Sequence, residues 1–369
     1  MKKLIVFIFL IFLSCKAPSI KIGVVIPLEG PASIYGKNAL NGINIFLEEK
    51  KGEKFFGRNL VILIKDNKGL PAKTKELINA LAEDKEVLCV VGPLVSKNVF
   101  VAASISQKYF LPLISPTATH PLVTKMSDFV FRTTFTDSIQ GCLLAKFIYK
   151  ELKKTKVAIL YEANDPYSEV LSRNFEISFK NFGGEILTSE YFFENDTIFY
   201  SKIDKISSFN PEVLFLPVYA NFVPLILKEC LEVKFNPVFV GGDGWYSYEL
   251  ISKNKDIFEN VKAYISSPFT PFLPYEKTKE FIRKYKEKYK SEPEFTSALC
   301  YDALGIVYEV LKKMEKPERM EFLKNLKEID YQGVTGNISF KRGKDPLRDV
   351  FILEVSPEGF KYVLTMTPE

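Results

Sequence analysis

Apolar residues fall along this chain in short unbroken runs, separated by stretches in which they recur at helical spacing. The run "IKIGVVI" (Ile20–Ile26) reads as a strand and Lys37–Lys50 as an amphipathic helix. "NLVILI", "VLCVV" and "FLPLI" continue the series as strands, with helices over Ala72–Ala82 and Lys97–Lys108 and a further short strand in "DFVFR". From Asp137 the cycle restarts with a helix to about Lys150, then "KVAILY", a helix Tyr167–Phe182, "EILTSEYF" and a helix Tyr200–Ser208. "EVLFLPV", a helix Asn221–Leu231, "PVFVG" and "VKAYIS" complete it. A strand that is apolar at every position is covered on both faces, which is the signature of a parallel sheet between helices. Two such series predict an α/β chain of two doubly wound parallel-sheet lobes.

The last hundred residues lack a third series. "EKTKEFIRKYKEKYK" puts Phe281, Ile282, Tyr285 and Tyr289 on one stripe of a solvated helix, and "FTSALCYDALGIVYEVLKKM" is a more buried one. "GNISF" and "DVFILEVS" read as strands. The chain is therefore expected to cross back and complete both lobes: 20–135 with 266–345 as the N-terminal lobe, and 136–265 with 346–369 as the C-terminal lobe. Hinge crossovers would then join the lobes and leave a cleft between them. A length of 369 residues suits two cores better than one.

Residues 1–15 are set apart as an export signal. Lys2 and Lys3 precede an apolar run from Leu4 to Leu13, then Ser14 and Cys15. Such a run is too short to span a bilayer, which takes about 20 residues. Its end resembles the lipobox of bacterial lipoproteins, departing from it at Phe12, so Cys15 is the expected lipidation site. Of the other cysteines, Cys89, Cys142, Cys230 and Cys300 have no CxxC spacing and are expected as buried thiols. The net charge of +5 is small and dispersed, unlike a nucleic-acid surface.

Enzyme chemistry finds little support. The single histidine, His120, sits between Thr119 and Pro121 with no triad spacing around it. Neither a phosphate loop nor a metal-ligand set is present, so no cofactor or metal is expected. The loops after the strands are more distinctive. Ligands of doubly wound sheets bind beyond the carboxyl ends of the strands. There "VVGPLVS" carries Ser96, "ISPTATHP" carries Thr117, Ala118 and Thr119, "LYEANDPY" carries Tyr167, "LPVYAN" carries Tyr219 and "FVGGDGW" carries Asp243. Each has a plainer reading: Ser96 as a helix cap, Asp243 as an Asp-Gly turn, the tyrosines as core, the threonines bracing their own turn. Together they supply an anion site, a partner for a cation and an aromatic wall, as a buried zwitterion requires.

With these motifs in order, the chain resembles the branched-chain amino-acid (Leu/Ile/Val) binding proteins that feed ABC importers, of the type I periplasmic binding protein fold. The resemblance runs from "IGVVIPLEGPASIYGKNALNGINIFLEE" through "VVGPLVS", "LISPTAT", "KVAILYEANDPYSEVL" and "FVGGDGWYS" to "YDALGIVYEVL" and "VTGNISFKRGKD". It implies that Ser96 and Thr119 bind a ligand carboxylate through hydroxyl and backbone N–H. The Thr117 carbonyl and Thr119 hydroxyl would accept from an ammonium with Asp243 as its counter-charge, and Tyr35, Tyr167 and Tyr219 would wall the cleft. Thr117 stands where relatives often have Ala, and "IKDNKGLPAK" lacks the cysteine that some relatives pair with one near Cys89. The resemblance implies a monomeric, non-enzymatic carrier, exported and lipid-anchored, that delivers an amino acid to an ABC permease in the inner membrane. Related proteins of this fold bind amides, urea-like compounds or small aromatic acids, or regulate cell-wall enzymes. The carboxylate of Asp243 favours an amine-bearing ligand.

Overall fold

The computed structural model describes residues 19–368, so the expected signal segment and Cys15 lie outside the described residues. Strands β1 (Ile20–Ile26), β2 (Lys54–Phe55), β3 (Arg58–Asp66), β4 (Val87–Val91), β5 (Leu113–Ser115) and β6 (Val130–Arg132) form one sheet in the order β2-β3-β1-β4-β5-β6. All its pairings are parallel except the β2–β3 hairpin. Strands β7 (Lys156–Glu162), β8 (Glu185–Phe192), β9 (Val213–Leu216), β10 (Val238–Gly241) and β11 (Lys262–Ser267) form the parallel part of a second sheet. A separate hairpin, β12 (Asp330–Gly333) and β13 (Gly336–Ser339), precedes β14 (Val350–Ser356) and β15 (Gly359–Met366), which extend that second sheet antiparallel beside β11. The molecule is thus a two-lobed α/β protein.

In both sheets the second long strand lies outside the first, so connections leave β1 and β4, and β7 and β9, in opposite directions. The crevice where they diverge is where such sheets bind ligands. The unbroken apolar strands are explained by their two covered faces. Ile22, Val24 and Ile26 enter one core, beneath helices 33–49 and 295–313. Val25, Val87 and Val90 enter another, with Ile78 and Val99 of helices 71–83 and 96–109. The helices pack closely enough that a Cβ on Gly42 would lie 2.0 Å from the carbonyl oxygen of Ser297.

Three details differ from the periodicity. The first helix starts at Ser33, not Lys37, so that Tyr35 is a helical residue whose side chain leaves the helix towards the cleft. The helix from Asp137 ends as regular α structure at Lys146 and closes in a π turn, Phe147–Glu151. Strand β15, "GFKYVLTM", is an edge strand with exposed Lys361 and Tyr362, and its mixed polarity hides it in the sequence. Cys89, Cys230 and Cys300 are buried free thiols; Cys142 is free but only half-buried, because it faces the surface of its helix.

Between β6 and β7, between β11 and helix 276–289, and between β13 and β14 the chain passes from elements packed on one sheet to elements packed on the other. The buried Arg132, at the end of β6, binds the last of these passages. Its Nε lies 2.6 Å from an Asp345 carboxylate oxygen, which also accepts from the Thr124 hydroxyl at 2.9 Å. Among the described residues no helix is long and apolar enough to cross a membrane, and no cluster of His, Cys, Asp or Glu is placed to hold a metal. Gly42→Ala is expected to cost about 3 kcal/mol by forcing helix 33–49 away from Ser297. A lower denaturant midpoint at unchanged slope is the measurement that checks it.

Candidate functional site

The stretch after β5 is built by its own hydroxyls. Ser115 Oγ donates to the Pro93 carbonyl at 2.7 Å, and Thr117 Oγ1 to the Leu94 carbonyl at 2.7 Å. These bonds strap the loop after β5 to the loop after β4, and they turn the Thr117 side chain towards that loop. Arg132 braces the far side, donating to the carbonyls of Ala118 and His120 at 2.9 Å each. The loop is held at both edges, so Ala118 and Thr119 are buried at 1% exposure although they lie in a connection. His120 is consumed locally: its Nδ1 accepts from Leu122 N–H at 3.1 Å, its ring packs on Phe100, and burial lowers its pKa to about 4. It is a turn residue.

Ser96 opens helix 96–109, yet its side chain makes no cap; Val95 occupies the cap position. Ser96 Oγ instead accepts from His120 N–H at 3.3 Å, which leaves its own proton free to donate. The helix start contributes unpaired N–H groups and a partial positive charge to the same corner.

On the other lobe the loop after β10 turns tightly to present Asp243. A Cβ on Gly242 would lie 2.3 Å from the Tyr167 hydroxyl and 2.8 Å from Gln140 Oε1, so only glycine lets both approach the turn. Tyr167 accepts from Gly244 N–H at 3.1 Å, and Gln140 Oε1 accepts from Asp243 N–H at 2.9 Å and from the Ser266 hydroxyl at 2.7 Å. Asp243 is 4% exposed. Burial raises its pKa to about 6, against the hydrogen bonds that Tyr167 and Gln140 give the ionised carboxylate. Its Oδ1 has no partner among the described residues.

The two lobes meet around these groups. The Tyr35 hydroxyl donates to the Gly244 carbonyl and accepts from Ala220 N–H at 3.0 Å, which places an N-terminal-lobe side chain between two C-terminal-lobe loops. Its ring lies 5.9 Å from that of Tyr219, and Tyr219 stacks on Tyr167 at 4.9 Å. A pocket lies where these loops meet. Tyr35, Ser96, Thr117, Ala118, Thr119, Tyr167, Tyr219 and Asp243 all line it, so the structure brings together every site residue expected from the sequence other than Cys15.

Four contributors escaped the sequence reading. Phe295 and Thr296 line the cavity from the start of helix 295–313, which comes from a crossover and follows no strand. Asp137 and Gln140 lie one turn apart at the start of helix 137–146, both fully buried. Two polar residues at that spacing among Ile139, Leu143 and Leu144 were the available signal. Burial, and next the charge of Asp243, push the Asp137 carboxyl well above the usual carboxylate range, while the Thr119 hydroxyl pulls it down.

Residues 19–360 match the periplasmic binding protein family. A leucine-, isoleucine-, valine-, threonine- and alanine-binding protein of Pseudomonas aeruginosa is 23% identical over 334 residues, 90% of this chain and 88% of that protein. Among solved structures, a leucine-binding protein from Thermotoga maritima superposes with a TM-score of 0.89 at 27% identity, covering 95% of this chain and 99% of that one. A branched-chain amino-acid transporter substrate-binding protein from Streptococcus pneumoniae, in complex with isoleucine, gives 0.88 at 27% identity, covering 95% and 100%. With a cleft framed by strand ends and a match over most of its length, the chain belongs to the periplasmic binding protein family.

Proposed function

We propose that this chain is an exported solute-binding protein that captures an amino acid with a branched-chain or other apolar side chain and delivers it to an ABC permease in the inner membrane. The observation that carries this reading is the pairing of unlike half-sites around one closed cavity. Ser96 at a helix start and Thr119 in the loop after β5 stand on one lobe, and Asp243, buried with one oxygen unpartnered among the described residues, stands on the other. A buried carboxylate without a cation costs several kcal/mol, roughly, even after relaxation. An ammonium group repays that cost, and the ligand's own carboxylate is met by the Ser96 proton and the helix amides. The Thr117 carbonyl is a further acceptor for the ammonium, and the three tyrosines with Phe295 surround the apolar side chain. Relatives named for leucine, isoleucine and valine support the ligand class.

Binding without turnover fits the chemistry, because the only histidine is neutral and held in its own turn. Closure brings Tyr35 into contact with the opposite lobe, so a bound ligand favours the closed form that a permease can distinguish from the open one. Lipidation of Cys15 would tether this monomer to the membrane surface. Solved relatives of the fold also hold benzoate-type acids, at 22% identity or less. An aromatic acid brings no cation to Asp243.

Calorimetric titration with each of the twenty amino acids, and with benzoate and acetamide as controls, is expected to show binding of apolar amino acids only; tight benzoate binding with no amino-acid binding would refute the proposal. Asp243→Asn should weaken amino-acid binding by roughly 100-fold, as for loss of a buried charge partner of about 3 kcal/mol. Its ligand-free thermal unfolding temperature should not fall, since a buried charge is removed with little change in shape. Gly242→Ala should weaken binding roughly tenfold through displacement of Tyr167 and Gln140. The pH dependence has a definite sign. The titrating group is Asp243, faced by Asp137 and by Tyr35, Tyr167 and Tyr219, and a bound ammonium favours its ionised form. Affinity should be level above about pH 6 and fall by up to about tenfold per unit below it, as protons compete with the ligand. Titrations from pH 5 to 8 read this directly.

A further inference from the structure

A second chamber, of about 220 Å³, adjoins the pocket just described and shares Tyr35, Val95 and Tyr219 with it as lining. Lys68 and Lys97 reach this chamber from the loops of the first sheet, and Glu162 and Glu194 from those of the second. Glu162 is the last residue of β7, directly after an apolar stretch from Val157 to Leu160, so it stands at the carboxyl end of its strand. Its backbone N–H donates to the Ser168 hydroxyl at 2.8 Å. Its side chain is less well served. Glu162 is 4% exposed, yet among the described residues its carboxylate has no hydrogen-bond or ion-pair partner.

The charges around Glu162 are already committed. Lys97 Nζ lies 3.2 Å from the Glu194 carboxylate, and Lys68 Nζ 2.6 Å from that of Glu29. Asp165 accepts from Ser168 N–H at 3.0 Å and adds a like charge. Burial, and next Asp165, push the Glu162 carboxyl up to about 8, with Glu194 adding to the rise and Lys97 opposing it. A buried carboxyl so placed stays protonated until a cation meets it. As a carboxylate it only accepts, so its best partner carries N–H donors as well as charge. We propose that this chamber is a second binding subsite, which takes a small organic cation with N–H donors, an ammonium or guanidinium group, against Glu162. Asn195 and Asn221 line the same chamber and offer amide oxygens beside it. Asp243 does not line it, so the two sites meet separate ligands. The cation comes either from a free amine or from the ammonium of a second amino-acid molecule.

The test is a calorimetric titration of the full chain, already saturated with L-leucine, using propylammonium, methylguanidinium or further L-leucine. At least one probe is expected to give a further one-site event with a dissociation constant on the order of 1 mM. A response to further leucine names a second amino acid as the source, and a response to the amine or guanidinium alone names a free cation. At pH 7 the event should release a proton, read as a heat that changes with the ionisation enthalpy of the buffer. Tetramethylammonium, a cation without N–H, and neutral propanol are expected to give no such event, and equal binding of either overturns the assignment to N–H cations. Glu162→Gln should weaken the event by roughly tenfold or more, while leucine affinity in the first pocket stays within about twofold. Lys97→Met removes the competing cation and leaves Glu162 in place, so it should tighten the event by roughly threefold, and it serves as the test if the Glu162 variant fails to fold. The proposal is overturned by a wild-type protein that gives no second event with any probe. It is equally overturned by an event that keeps full strength in Glu162→Gln, is not tightened in Lys97→Met, or releases no proton. Protein that binds no leucine overturns the reading of the first pocket alone, and the same cation titration of the ligand-free chain then decides this one.

Discussion

A carboxylate held out of water between two separately folded lobes is the constraint around which this molecule is arranged. In an apolar setting the ionised form of Asp243 is costly, and its raised pKa expresses that cost. The fold meets part of it with Tyr167 and Gln140 and leaves one oxygen without a partner among the described residues. The surrounding layer exists to hold that imbalance in place. Gly242 gives Tyr167 and Gln140 room, Gln140 is fixed by Ser266 and Asp137, and Tyr35 reaches across to Gly244 and Ala220.

The second half-site is made rigid by different means. A loop running from Ser115 to His120 would be mobile if it lay freely on the surface. Here its side chains are tied to the loop after β4 and its carbonyls to Arg132, whose charge is met by Asp345 from the last crossover. The loop that carries Ala118 and Thr119 is thereby connected to the segment between β13 and β14. Asp137 makes the same connection from the first crossover, through Thr119 on one side and Gln140 on the other.

The sequence made the sheets and most of the site legible for separate reasons. Strands covered on both faces must be apolar throughout, so "IKIGVVI" and "VLCVV" announce a parallel sheet without any tertiary information. Ser96, Thr117, Thr119, Tyr167, Tyr219 and Asp243 were visible because polar or aromatic residues stand directly after such runs. Tyr35 was visible only through family resemblance, and the structure places it within a helix that starts earlier than its periodicity suggests. Phe295, Thr296, Asp137 and Gln140 were not seen, since they open helices at crossovers, where no strand end marks the position.

What the chain determined by itself was local: which segments are strands and helices, that they alternate in two series, and which loops carry groups able to meet opposite charges. These follow from side-chain polarity read at a period of two or of about 3.6 residues, which needs no partner. Tertiary structure decided which proton each hydroxyl gives away. Ser96 and Thr117 look alike in sequence, yet the Ser96 hydroxyl accepts from His120 N–H while the Thr117 hydroxyl donates to the Leu94 carbonyl. That difference depends on residues 23 and 24 positions away being folded against them, and hydrogen-bond direction is a property of the pair, not of either residue.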